Sequence, residues 1–281
     1  MKKKNKAIYL LFLMPFVYFA TACFVVWLVK TSGIYPSGSD TMYHVYRGDY
    51  VYNAIKSGNW YPLYDPAWYN GVEILRYWSP FPAYVMAFCQ YLAGGSQFGA
   101  YLFYIGGVCF LGACVWPFIG RGFNRPYLGA FIGLLWFFMP NNLCAIFIEG
   151  NLARSLSMIF LPVFIYSVYK YLYNHKLRYI PLMVFTFLLM ELCHLGYAGM
   201  VAIAVIIYGI VYIIQKGRKK AVLDVVISMI FGFMLLGIWL VASLRGGITS
   251  LDNSENMANF FQNLWITINP FERLTRGFEY F

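Results

Sequence analysis

Asp40, His44 and Arg47 follow one another at i, i+4 and i+7 in the run Ser-Gly-Ser-Asp40-Thr-Met-Tyr-His44-Val-Tyr-Arg47. Residues so spaced share one face of a helix, and Ser39 or Asp40 is a suitable N-cap for a helix that begins here. A carboxylate, an imidazole and a guanidinium pointing together can take a proton and hold an anion; the same pattern also suits a capped, solvated loop helix. A second group reads Met139-Pro-Asn141-Asn142, then Glu149-Gly-Asn151-Leu-Ala-Arg154, where two apolar runs meet. Ionisable residues at that depth are costly and usually functional, although Glu149 and Arg154 can equally form an ion pair that closes a tight turn. A third, Glu191-Leu-Cys-His194-Leu-Gly196, ends another apolar run, and its histidine is either a structural residue or part of a site. Arg76, in Arg76-Tyr-Trp78-Ser-Pro80-Phe-Pro82, can grip a phosphate by a bidentate contact or snorkel to lipid headgroups. His175, beside Lys176, reads as surface.

The scaffold that must position these groups is set by composition. Hydrophobic residues fill 61% of the 281 positions and charged ones only 11%, against roughly 45–50% and 25% in soluble domains. A soluble core cannot absorb that much apolar surface. Aromatics at 21% suit interfacial belts, and also contact with sugars or lipids. The net charge of +10 does not imply nucleic acid, because Lys and Arg fall in short clusters between apolar runs and so act as a topology signal. The six cysteines lie in or beside apolar stretches without zinc-site or disulfide spacing, and read as small core residues.

An apolar helix needs about 20 residues to cross the hydrocarbon core. Candidate spans are 7–29, 97–119, 127–147, 155–171, 179–193, 198–214 and 222–244. The first has a basic flank like a signal peptide but reads as a retained anchor. A shorter apolar piece, 80–94, decides the topology. If it spanned, the basic clusters at Arg121 and Arg125, at Lys170, Lys176 and Arg178, and at Lys216 to Lys220 would lie opposite the Lys-rich N-terminus. If it lies in the interface, as its length and leading Pro80 and Pro82 suggest, all of them fall on the cytoplasmic side. Ten of the eleven acids then lie outside or near the outer interface, leaving Asp224 inside. The expected fold is an all-α integral membrane protein with about seven transmembrane helices, plus juxtamembrane helices in a long first outer loop. It forms one transmembrane domain over 1–281, with the first outer loop at 31–95 and the start of a second, truncated outer region at 245–281. The expected location is the cell membrane, with the N-terminus cytoplasmic and the polar site on the extracytoplasmic face.

Several of these stretches resemble the multispanning C-type (GT-C-like) glycosyltransferases that use a polyprenyl-phosphate sugar donor. Asp40 stands where that superfamily's acidic residue is expected, shortly after the first span. Gly58-Asn-Trp60-Tyr-Pro62 looks like the turn after the first juxtamembrane helix, and Pro80-Phe-Pro82-Ala-Tyr-Val-Met-Ala-Phe like the Pro-led second one. More narrowly, the run from Gly38 to Pro82 and the Glu149-Gly-Asn151 turn with Arg154 resemble bacterial membrane proteins whose domain is described as related to 6-pyruvoyl-tetrahydropterin synthase. No pterin chemistry follows, because the three histidines lie far apart and do not resemble the soluble enzyme's zinc-binding set.

The resemblance implies transfer of a sugar, hexosyl or pentosyl, from a polyprenyl-phosphate donor to a glycan, lipid or protein acceptor at the outer face. Asp40 would be the general base, and Arg154, with Arg76 and Arg47, would hold the donor phosphate. His44 would orient Asp40 or touch the phosphate, Glu149 would pair with Arg154, and His194 and Asn151 would support the site. No certain cofactor is implied, and a metal-dependent version is the alternative, because Asp40, His44, Glu149 and His194 include good ligands for a divalent metal ion. The rival expectation is a non-enzymatic transporter or scaffold in envelope polysaccharide assembly, for which Asn141 and Asn142 after Pro140 speak most directly.

Overall fold

The computed structural model describes residues 2–36, 38–68, 71–76 and 78–243, with side chains from residue 12 onward except at 242. All regular elements among the described residues are helical, apart from an isolated antiparallel bridge between Asp65 and Val72. α1 (Lys2–Ser32) presents Phe12, Phe16, Phe24 and Trp27 to its surroundings, as a lipid-facing helix does. The loop helices α2 (Thr41–Lys56) and α3 (Phe81–Leu92) follow. Pro80 and Pro82 start α3, where a missing N–H costs nothing, and the left-handed Gly94 and Gly95 end it. Its 12 residues reach about 18 Å, well short of the roughly 30 Å hydrocarbon core.

α4 (Gln97–Gly122) is capped by Ser96, whose hydroxyl accepts from the Gly99 N–H at 3.0 Å. α5 (Pro126–Leu135) then lies antiparallel beside it, so close at Gly120 and Gly129 that a Cβ on either would strike the other's backbone. Beyond α5 the helix is broken. A 3₁₀ turn at Trp136–Phe138 leads to an extended Met139, forced out of helix by the following proline. α6 (Pro140–Leu143) and a π-helical turn at Cys144–Ile148 complete the segment. α7 (Leu152–Asn174), α8 (Tyr179–Cys193), α9 (Leu195–Lys216) and α10 (Lys219–Leu235) form an antiparallel series.

Five segments are long and apolar enough to cross a membrane: Phe12–Ser32, Gln97–Gly122, Pro126–Ile148, Leu152–Asn174 and Leu195–Lys216. The apolar α8 has 15 residues and α10 has 17. The chain is thus an all-α membrane protein. A second unit begins at Gly237 and contains α11 (Gly237–Ser243); the expected span 222–244 is divided between the two units. The region 245–281 lies outside the described residues.

Two apolar cores hold the first unit together. One joins α1, α4, α5 and the first half of α7, around Tyr18, Tyr101 and Ile105; the other joins α7 to α10 around Phe164, Met183 and Met190. A smaller cluster of Val51, Ile74, Leu75, Ala83 and Ala87 packs α2 and the loop onto α3. Antiparallel packing sorts charge to the two ends of this bundle. At one end Lys170 donates to the Gly122 carbonyl at 2.6 Å, Arg218 meets His175, and Tyr171 donates to Asp224 at 2.6 Å. At the other, Ser79 donates to the Glu191 carbonyl at 2.9 Å, and Asp40, Glu149, Arg154 and His194 gather.

Candidate functional site

The site is built on a backbone contact between stretches more than a hundred residues apart. Gly150 has φ +67° and so ends the π-helical turn in a conformation that favours glycine. Gly38 packs directly on it: a Cβ at Gly38 would lie 2.5 Å from the Gly150 Cα and nitrogen. The Glu149 carbonyl therefore reaches the start of α2, accepting from the Asp40 N–H at 3.1 Å. The Ser39 hydroxyl sits 3.1 Å from that carbonyl and 3.1 Å from Asp40 Oδ1; having one proton, it donates to one of them at a time. Asp40 occupies the N-cap position of α2, but its side chain makes no cap hydrogen bond, so the expected capping role is positional only. The residue is half-buried.

On the other side of this contact, Arg154 Nη1 lies 2.7 Å from Glu149 Oε2, and the Cys144 thiol donates to Oε1 at 3.3 Å. The ion pair does close the turn. It uses only one guanidinium nitrogen, however: Nε and Nη2 of Arg154 are buried without a hydrogen-bond partner. Asn151 caps α7 by accepting the Arg154 N–H at 2.9 Å. His194, extended between α8 and α9, caps α9 in the same way through Nδ1, which accepts from the Tyr197 N–H at 3.0 Å. In the neutral ring the proton then sits on Nε2. That atom faces Asn151 Nδ2, another donor, at 3.4 Å, so its N–H still has room for an acceptor. His194 lies within electrostatic reach of Arg154, Asp40, Glu149 and His44; burial, the largest influence, lowers its pKa.

His44 and Arg47 turn inward rather than toward solvent. His44 is 8% exposed, and burial, reinforced by Arg47 and His194, pushes its pKa down to about 3, leaving the ring neutral. No side-chain hydrogen bond joins it to Asp40. Arg47 is 1% exposed and donates through Nη2 to the carbonyls of Trp78 (3.1 Å) and Ser79 (3.4 Å). Its guanidinium lies 5.4 Å from the centre of the Tyr43 ring. These contacts tie α2 to the loop before α3. Arg76 forms an ion pair with Glu73 in that loop. Of the expected residues, Asp40, Glu149, Asn151, Arg154 and His194 therefore form the group, with His44 behind it.

Ser79, Cys144 and Tyr43 are not singled out by sequence, and Ser39 is only as an N-cap. Tyr43 packs edge-on against Trp68 and Trp78 at 5.2 Å each and has its pKa raised to about 12, chiefly by burial. The one local signal is a glycine near each chosen acid, Gly150 adjoining Glu149 and Gly38 two residues before Asp40. Among the described residues, no group of three His, Cys, Asp or Glu side chains is placed to hold a metal ion.

Residues 75–281 match a family described as 6-pyruvoyl-tetrahydropterin synthase related domain; membrane protein. The matched segment holds Glu149, Asn151, Arg154 and His194; Asp40, His44 and Arg47 precede it. No curated protein and no solved structure matches the chain.

Proposed function

The chain belongs to the 6-pyruvoyl-tetrahydropterin synthase related family of membrane proteins, and from that premise we propose that it is a membrane glycosyltransferase. It moves a sugar from a polyprenyl-phosphate donor to an acceptor hydroxyl at the outer face. The observation that carries this reading is the Gly38–Gly150 contact, which docks the start of α2, with Asp40, onto the turn whose Glu149 pairs with Arg154, a guanidinium with two buried, unmatched donors. A carboxylate that can take a proton next to a cation that can take a phosphate is what glycosyl transfer from a lipid phosphate needs. The acceptor oxygen attacks the anomeric carbon, the bond from that carbon to the phosphate oxygen breaks, and the acceptor proton passes to Asp40. The polyprenyl phosphate leaves with the bonding electron pair, its charge met by Arg154 and by the Nε2–H of His194. Glu149 holds Arg154 in place, and His44 and Arg47 fix α2. The basic clusters assign the opposite end of the bundle to the cytoplasm, with about seven crossings if α8 and the 222–244 segment also span.

Reconstituted protein should move radiolabel from polyprenyl-phosphate hexose or pentose into acceptor. Asp40→Asn should fold and insert yet lose transfer about a hundredfold or more; full activity in that variant would remove the assigned base.

The broken helix after α5 favours a second reading, since discontinuous helices line transporter sites. Within that break, however, Asn142 already donates to the Trp136 carbonyl at 2.9 Å, and the ionisable residues collect at the bundle end. Substrate uptake by vesicles, undiminished in Asp40 and Glu149 variants, is the result that would prefer it.

A further inference from the structure

One side of α2 carries a row of aromatic rings. Tyr43, Tyr46 and Tyr50 stand at i, i+3 and i+7 and so share a helix face; Asp40 lies about one turn before the first of them. From Tyr43 to Tyr50 the row extends about 10 Å along the axis. Two tryptophans of the following loop widen it into a shelf. Trp68 packs 4.5 Å from the Tyr46 ring and edge-on 5.2 Å from Tyr43, and Trp78 meets Tyr43 edge-on at 5.2 Å. The Asp65–Val72 bridge pins the turn that holds Trp68. The Tyr46 hydroxyl donates to the buried Asp65 carboxylate at 2.6 Å, and Tyr50 donates to the Tyr64 carbonyl at 2.6 Å. These bonds fix the rings before any ligand arrives, which lowers the ordering cost of binding. The shelf is still accessible: Trp78 is 52% exposed, and Tyr43, Tyr46, Tyr50 and Trp68 are half-buried.

Two features decide what the shelf suits. In an interfacial belt the polar tips of aromatic residues point to the headgroups. Here the tips of Tyr46 and Tyr50 are turned inward and bonded to protein, so ring surface is what they leave for a ligand. The charges that act on Tyr43 and Tyr46 are the carboxylates of Asp40, Asp49 and Asp65 and the guanidinium of Arg47. Arg47 is buried, with Nη2 on the Trp78 and Ser79 carbonyls, so the accessible charge is negative and an anionic ligand is disfavoured. An acyl chain would gain nothing from carboxylates along its edge. A neutral sugar meets both conditions: its C–H face lies flat on an aromatic ring while its hydroxyls donate to carboxylates at the rim. We propose that this shelf is an acceptor subsite and that the acceptor is a neutral glycan, stacked along α2 with its terminal hydroxyl at Asp40. The inference deepens the transfer reading and rests on it for the direction of the glycan; it chooses glycan over lipid and protein as the class of acceptor.

The test uses the full chain in phosphatidylcholine nanodiscs and saturation-transfer NMR, with the aromatic protons of the protein irradiated. The probes are neutral tetrasaccharides of glucose, galactose, mannose and N-acetylglucosamine, with tetragalacturonate as the anionic counterpart. At least one neutral probe should take up saturation, most strongly on its ring C–H protons, and tetragalacturonate should take up about tenfold less. Trp78→Ala keeps the main-chain carbonyl that holds Arg47, and should cut the signal about tenfold, whereas Trp78→Phe should retain most of it. Trp60→Ala, at a tryptophan that is 71% exposed and outside the row, should leave it unchanged. Failure of every neutral probe to bind, equal binding of tetragalacturonate, or wild-type binding by Trp78→Ala overturns the proposal. The transfer reading is judged separately: glycan binding lost in Trp78→Ala but without sugar transfer leaves the glycan site standing and removes the transferase. Sugar transfer at the same rate in wild type and Trp78→Ala does the reverse.

Discussion

A histidine that cannot be charged where it sits makes the site sensitive to acid. His44 is held neutral down to about pH 3, mainly by burial and then by Arg47 and His194, whereas an unfolded histidine titrates near 6.5. Between those values the unfolded chain binds a proton that the folded chain refuses. Stability is therefore flat above about pH 6.5 and falls as the pH drops below it, by up to about 1.4 kcal/mol per unit. Thermal melts of detergent-solubilised protein from pH 7.5 to 4.5 should show this decline, and His44→Gln should flatten it; His194, also lowered by burial, retains its own share in that variant. At this scale the sequence revealed the ionisable residues and the Glu149–Arg154 pair, because charge in an apolar chain stands out. It concealed the difference between Arg154, with Nε and Nη2 both unmatched, and Arg47, where Nε alone is unmatched and Nη2 is committed to the Trp78 and Ser79 carbonyls. Only the fold decides which carbonyls an arginine reaches.

Joining α2 to the turn before α7 depends on two residues without side chains. An alanine Cβ at Gly150 would lie 2.1 Å from Thr41 Oγ1 and 2.7 Å from the Thr41 nitrogen, at a φ of +67°. Gly150→Ala should cost about 2–4 kcal/mol and raise amide hydrogen exchange at the start of α2. Gly107→Ala, with nothing within 4 Å of the added carbon, should leave thermal stability and exchange nearly unchanged. Equal effects from the two would show that the close approach does not hold the elements together. The helices themselves were legible from apolar run length, and the Pro-led α3 from its prolines and its shortness. The division after α5 was less so: the run 127–147 reads as one span, and Pro140 marks the break without revealing the 3₁₀ and π turns on either side of it. Those turns arise because the segment must release Met139 from helix and still bring Glu149 to the bundle end.

Across the whole molecule, sorting of charge to opposite ends converts a sequence pattern into a face. Lys and Arg clusters between apolar runs implied that sorting, and the antiparallel helices produce it; which end faces the cytoplasm rests on the positive-inside preference. In a cysteine-free background, a cysteine placed at Asn59 should react with a membrane-impermeant maleimide on intact cells, while one at Lys176 should react only after permeabilisation. The reverse pattern would put the acidic end inside and exclude an outer-face reaction. Convergence of two remote stretches was not legible at all, since nothing local links Gly38 to Gly150. That convergence is also what the proposed reaction centre of Asp40 and Arg154 depends on, and a double-mutant cycle on sugar transfer tests it most directly. Residues that act as a unit are strongly non-additive, so Asp40→Asn with Arg154→Gln should be hardly slower than the worse single variant. Losses that multiply, or full transfer in either single variant, would contradict a shared centre.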